Sequence, residues 1–349
     1  MSQFRMIKIS AGIPEERGVQ YGSQAAELIK ICIETYQKRF LDTRNLSWSK
    51  VQKYAMDHVP YVKEAMPELL KEVEGIAQGA GVSFEDIMAL NCRYEILHYP
   101  HQMECTAFAL MREATADGKI YIGQNWDQYP SLLPHSLVLD ITEEETGARI
   151  IGTTEAGQLI RNGMNGATGV ALCANSLHSS LDTAGAGVPS NFLRRKVLTL
   201  STMQEMTDLL RNVKRTVSNN FCLATRENIL ADMEAVPGIP VRLEPIGGIL
   251  THANNLLVNR DMDVHRDERF RGDRLFQLLN SARGKITLEY IKECLKDHYG
   301  YPEGICSHIT EQNKNWQTIA SIIYGLDDNK AWICYGNPCQ GEYREYRLY

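Results

Sequence analysis

The hydrophobic period of this 349-residue chain changes at Cys105. Ahead of it, apolar residues recur at mixed three- and four-residue intervals, the spacing of one helical face. Beyond it come short apolar runs separated by Gly, Asp and Asn turns, the mark of strands joined as hairpins. Helices, then a strand-rich region with two inserted helical layers, fit two antiparallel sheets packed face to face with helices outside. That is an α+β architecture in four αββα layers. A doubly wound parallel sheet fits badly, because it alternates helix and strand throughout.

In chain order, the pattern predicts a short strand at 6–10 and helices at 15–40, 48–66, 67–80 and 84–97. Gly79-Ala80-Gly81 interrupts the run, and Ser83 with Asp86 reads as an N-cap with an acidic first turn. Strands follow at 105–111, 119–123, 136–142, 148–154 and 168–174. The small, glycine-rich stretch 180–190 reads as a mobile surface loop. Helices are expected at 191–200 and 201–213, the second opened by a Ser201/Gln204 capping box. Strands return at 220–225, 229–234 and 248–253, helices at 267–281 and 288–299, and a last hairpin spans 318–336. The domain expectation is a helical prosegment at 1–104 and an αββα catalytic part at 105–349, one compact unit once assembled.

Composition excludes some classes of function. A formal charge of -6 gives no electrostatic case for nucleic acid or an anionic membrane. The start lacks the apolar run of a signal peptide, and no stretch reaches 18 apolar residues, so a cytoplasmic protein is expected. Nine cysteines at irregular spacing include no Cys-x-x-Cys, and no Cys/His set has the usual zinc-ligand spacing. No metal and no cofactor is therefore expected.

Cys105 is the candidate nucleophile for a positional reason. A thiol at the start of a strand, behind a complete helical segment, becomes N-terminal if the chain is cut before it. A free α-amino group has a pKa of roughly 7.7–8.0 and can serve as general base for its own thiol. The competing reading is a buried core cysteine.

Ordered segments along nearly the whole chain are similar to one known family. They are 72–80 and 84–96, Cys105-Thr106, Gly123-Gln124-Asn125-Trp126-Asp127, Thr154-Glu155-Ala156-Gly157, Asn165 to Asn175, Thr251-His252-Ala253-Asn254, Ser321, and Gly336-Asn337-Pro338-Cys339. Together they resemble the acyl-coenzyme A:6-aminopenicillanic acid acyltransferase family, the C45 group of N-terminal nucleophile hydrolases. The resemblance implies the αββα fold of that superfamily and autocleavage between Glu104 and Cys105. It implies an acyl-enzyme on Cys105 that water or an amine resolves. The substrate class is an acyl amide or acyl thioester, with a coenzyme A thioester as one acyl donor. The cleaved prosegment would stay bound as a subunit, and pairing into homo-oligomers is left open.

The resemblance also implies roles. Asp127 holds the Cys105 amine, or is simply a turn aspartate. Asn254 supplies an oxyanion amide, with Asn255 beside it leaving the assignment uncertain by one position. Asn175 lies near the oxyanion or in a loop, and Ser321 assists the precursor site or merely alternates outward in a strand. Glu104 departs from the small residue usual before the nucleophile, and a carboxylate there slows cutting or makes it pH dependent. Ala107 and Val236 replace hydroxyl residues of some members, and Ile322 stands where the penicillin enzyme has arginine. Arg260, Arg266, Arg269, Arg271 and Arg274 interleave with acids and read as a salt-bridged surface face. Two further functions compete: an uncut, catalytically silent binding protein, and a thiol enzyme pairing Cys105 with His252 or His178.

Overall fold

The computed structural model describes residues 3–97, 105–264 and 270–348. Glu104, the expected residue before the cut, lies outside them, as do Arg266 and Arg269 of the basic cluster.

The N-terminal part is β1 (Arg5–Ala11) followed by helices α1 (Pro14–Arg44), α2 (Trp48–Met56), α3 (Val59–Ala65), α4 (Pro67–Ala80), α5 (Phe84–Asn91) and α6 (Arg93–Leu97). α4 stops where Gly81 takes the left-handed conformation at φ +66°, which a residue without Cβ adopts at no steric cost. Ser83 and Asp86 form a full capping box that opens α5. The single helix expected over 48–66 is two, α2 and α3, parted by a turn at Asp57–His58.

α1 and α4 touch backbone to backbone. A Cβ at Gly75 would lie 2.1 Å from the Glu15 carbonyl oxygen, and one at Gly18 would lie 2.0 Å from that of Glu72. Alanine is the better helix former by about 1 kcal/mol, yet overpacking a close interface costs roughly 1–3 kcal/mol and here meets rigid backbone. Gly75→Ala is thus expected to lower stability by about 2 kcal/mol or more, read from the midpoint of urea unfolding. An unchanged or raised midpoint would show that the two helices have room to separate.

The remainder is strand-rich: β2 (Cys105–Leu110), β3 (Tyr121–Gln128), β4 (Ser136–Glu143), β5 (Arg149–Glu155), β6 (Asn162–Asn165) and β7 (Val170–Ser176). Helices α7 (Ser190–Val197) and α8 (Met203–Asn212) intervene before β8 (Asn219–Thr225), β9 (Ile229–Ala235), β10 (Val241–Leu243) and β11 (Ile249–His252). Then come α9 (Arg271–Ser281), α10 (Leu288–Cys294), β12 (Gln317–Gly325), β13 (Lys330–Tyr335) and β14 (Tyr343–Arg347). The α8 cap is one residue later than expected: Thr202 and Glu205 form the box, not Ser201 and Gln204. β6 is a strand beyond those expected, because Gly163 and its neighbours carry no alternating pattern.

The strands form an eight-stranded sheet in the order β1-β4-β5-β6-β7-β8-β9-β10 and a six-stranded sheet in the order β11-β2-β3-β12-β13-β14. Pairing is antiparallel except at one edge, where β1 lies parallel to β4. Period-two alternation sorts the side chains into layers. Leu137, Leu139 and Ile141 of β4 join the core under the N-terminal helices, α7 and α8, while Val138 points the other way, into the core between the sheets. On β2, Cys105, Ala107 and Ala109 face the inter-sheet core, and Phe108 and Leu110 face the core under α9 and α10. The layers are therefore α, β, β, α, as expected. Among the described residues no helix is long and apolar enough to cross a membrane.

Buried charge ties the N-terminal helices to the rest. Arg195 of α7 pairs with Glu72 of α4 at 2.9 Å and also with Glu143 of β4. Burial opposes the Glu143 charge, but Arg195 prevails and holds its carboxyl down to about 2. Glu155 of β5 accepts from Tyr36 of α1 at 2.5 Å and from Arg93 of α6 at 2.7 Å.

Candidate active site

Cys105 opens β2 opposite Trp126 of β3 and is wholly buried. Its backbone N–H donates to Asn254 Oδ1 at 2.6 Å. Of the two adjacent asparagines, Asn254 is the buried one turned to the strand start. Its own amide nitrogen donates to the Ser176 carbonyl at 2.9 Å, so the loop after β11 is stitched to β7 of the other sheet.

A buried acidic pair fixes that loop. Glu234 of β9 accepts from the backbone N–H groups of Leu257 and Val258 at 2.5 and 3.1 Å. It also meets His252 Nε2 at 3.1 Å, while His252 Nδ1 lies 2.6 Å from the Ala253 carbonyl. Burial disfavours charge on His252, but Asp232 and Glu234 outweigh it and raise its pKa. The converse burial pushes Asp232 up to about 6. His252 is thus engaged across the sheets, and His178 packs against the Tyr94 ring at 6.2 Å.

The thiol has other company. Arg161 Nη2 lies 3.5 Å from Cys105 Sγ, and the same guanidinium sits 4.9 Å over the Trp126 ring. Burial raises the thiol pKa; Arg161 pulls against that rise and Asp127 adds to it. In the uncut chain the thiol is therefore protonated at neutral pH, next to a cation able to stabilise the thiolate once it forms.

Asp127, on the alternate face of β3, accepts from Thr318 Oγ1 at 2.6 Å and lies 3.5 Å from Arg271 Nη1. Arg271 Nη2 reaches Asn254 Oδ1 at 3.2 Å. One guanidinium at the start of α9 therefore holds Asp127 and Asn254 together beside the Cys105 nitrogen. This corrects the surface reading of the basic cluster at one position, since Arg271 is 2% exposed. Arg274 does follow that reading, paired with Asp297 at 2.7 Å and partly exposed.

Asn175 of β7 faces the inter-sheet layer, where its Oδ1 takes a long 3.5 Å contact from Asn220. Its buried Nδ2 has no partner among the described residues. Ser321 is not brought to the site. It pairs with Asn125 across β3, points to the outer layer and meets the Tyr343 hydroxyl at 2.6 Å.

Sequence reasoning singled out Cys105, Asp127, Asn254 and Asn175 but passed over Arg161, Thr318 and the position of Arg271. Arg161 left a readable trace, since it is the lone charge inside Leu159-Ile160-Arg161-Asn162-Gly163-Met164. A charged residue inside an apolar run is buried only where something answers its charge.

Comparison with known proteins gives the following matches. Residues 114–340 match the family described as acyl-coenzyme A:6-aminopenicillanic acid acyl-transferase. The 40 kDa form of acyl-coenzyme A:6-aminopenicillanic-acid-acyltransferase from Emericella nidulans is 24% identical over 335 residues, 94% of this chain and 91% of its own. Among solved structures, a conjugated bile acid hydrolase from Clostridium perfringens is 15% identical, with 70% of this chain and 97% of that one covered at a TM-score of 0.46. An N-acylethanolamine-hydrolyzing acid amidase ortholog from Caenorhabditis elegans is 14% identical, with 64% and 93% covered at a TM-score of 0.47.

Proposed function

This chain belongs to the acyl-coenzyme A:6-aminopenicillanic acid acyl-transferase family, and we propose that it is a self-processing cysteine amidohydrolase or acyltransferase cut between Glu104 and Cys105. The observation that carries the proposal is the 2.6 Å bond from the Cys105 nitrogen to Asn254, made at a strand start where Asp127, Arg271 and Arg161 converge.

In maturation, the Cys105 sulfur attacks the Glu104 carbonyl carbon. The C–N bond breaks as the C–S bond forms, and the thiol proton passes to the departing nitrogen. Water then hydrolyses the thioester, leaving Glu104 as a carboxylate and Cys105 with a free amine. That amine inherits the hydrogen bond to Asn254. With a pKa of roughly 7.7–8.0 it takes the thiol proton when a substrate acyl group arrives. Arg161 counters the charge on sulfur. The Asn175 N–H, unpartnered among the described residues, and the Asn254 amide are the donors for the tetrahedral oxyanion, and such a donor is worth about 3 kcal/mol in acyl transfer. Arg271 and Asp127 position the amine. The acyl donor is an amide or a thioester, coenzyme A thioesters included, and water or an amine resolves the acyl-enzyme.

The test is the intact mass of freshly purified protein under denaturing conditions. Fragments covering 1–104 and 105–349 are expected. A chain that stays whole across a pH series would overturn self-processing; a silent ligand-binding protein would then lead, with a histidine-assisted thiol enzyme behind it.

A further inference from the structure

Away from Cys105, the segment after α10 and the turn after β13 bring two histidines and two cysteines together. The donor atoms of His298, Cys306, His308 and Cys339 all lie within 4.8 Å of one another. The two imidazole Nε2 atoms are 3.0 Å apart. His308 Nε2 is 3.4 Å from each sulfur, and the sulfurs are 3.6 Å apart.

Four of the six separations approach the edges of a zinc tetrahedron, and the remaining two, from His298 to the sulfurs, lie within 4.8 Å. With Zn–N of about 2.05 Å and Zn–S of about 2.3 Å, the edges come to roughly 3.3 Å for N–N, 3.6 Å for N–S and 3.8 Å for S–S. The four contacts have those sizes to within a few tenths of an ångström, and they rise in the same order. We propose that His298, Cys306, His308 and Cys339 bind one structural Zn²⁺ ion. Binding two thiolates and two neutral imidazoles releases two protons to solvent and leaves a site of no net charge.

Three observations favour the metal over a chance meeting of side chains. A disulfide needs its sulfurs at about 2.05 Å and has no use for two histidines. Asn337 Nδ2 points at Cys306 Sγ from 3.5 Å while donating to the Ser307 carbonyl at 2.6 Å. An N–H aimed at a ligating sulfur is the outer-shell contact that stabilises zinc thiolates. The cluster also has an entry path, since Cys306 is buried and His298 is exposed.

The site has a place in the fold. Cys306 and His308 flank Ser307, whose backbone N–H donates to Thr318 Oγ1 at 3.0 Å. Thr318 in turn donates to Asp127. On the other side of Cys306, the Ile305 carbonyl accepts from Asn125 of β3 at 2.8 Å. Zinc would pin the strip that braces β3 just below the Cys105 site. Sequence spacing concealed the cluster because only Cys306 and His308 are close in the chain, and Cys339 comes from a separate turn.

The test uses the full chain, purified without a histidine tag and dialysed against a chelator. Mass spectrometry of the metal content is expected to find about one zinc per chain. The exposed His298→Ala variant is expected to bind zinc at least about tenfold more weakly, and the Cys306→Ser/Cys339→Ser double variant to hold none. Should the double variant fail to fold, Co²⁺ exchanged into the unaltered protein gives the sulfur-to-cobalt charge-transfer and tetrahedral ligand-field absorption of a thiolate site. Zinc far below one per chain after incubation with the metal would overturn the proposal. So would a Cys306–Cys339 disulfide in non-reduced peptides, or a Co²⁺ spectrum without thiolate bands.

Discussion

Cys105→Ala is expected to leave one uncut chain of 349 residues and to lower acyl turnover by about 10⁴-fold or more, because the nucleophile for both steps is gone. Cys105→Ser should still cut, slowly, with oxygen in place of sulfur. The informative partner is His252→Gln. Both ring nitrogens of His252 are engaged, one with Glu234 and one at the Ala253 carbonyl, while the thiol contacts Arg161. Processing should therefore survive in His252→Gln, read by intact mass over hours at neutral pH. If His252→Gln abolishes turnover and no cut is ever seen, the protein is an ordinary histidine-assisted thiol enzyme.

Arg271→Leu is expected to reduce kcat by about 100-fold with KM little changed. Arg271 touches no acyl group in this scheme; it sets Asp127 and Asn254 against the Cys105 nitrogen, and a misplacement of about 1 Å at a reacting group costs on the order of 100-fold. The same change leaves Asp127 buried without its cation, a loss of about 3–5 kcal/mol in stability. Arg271→Lys separates the two effects. A point charge restores most of the stability, whereas the two-pronged reach to Asp127 and Asn254 is lost, so kcat should stay about tenfold low. Recovery of stability and kcat in parallel would mean that Arg271 serves the fold alone. Equilibrium unfolding and steady-state kinetics on the processed protein supply both numbers.

Much of this fold was legible because local period and burial agree. Cys105, Ala107 and Ala109 against Phe108 and Leu110 is a strand pattern with two covered faces, and Ser83 with Asp86 is a cap that needs no tertiary context. The candidate site was legible only where its residues sit on such elements. Cys105 begins a strand, Asp127 lies next to the end of one, and Asn254 follows one. Arg271 hid in a stretch where basic and acidic residues interleave, and nothing local distinguishes an arginine facing Asp127 from one facing water. The parallel β1–β4 edge was equally hidden, since strand direction depends on a partner far along the chain. For Ser321 similarity left two readings open, and the alternation of β12 turns it to the outer layer, the strand reading.

That parallel edge bears on how the molecule ages. While the chain is whole, β1 and β4 are tethered, so an unfolded molecule finds its own first strand however dilute the solution. A cut before Cys105 removes the tether and makes the same pairing a meeting of two molecules, governed by concentration. The buried Arg195–Glu72 and Arg93–Glu155 pairs then hold the halves together only as long as neither lets go. The processed protein would persist by the slowness of its dissociation, and each unfolding event in dilute solution would be one from which it does not return.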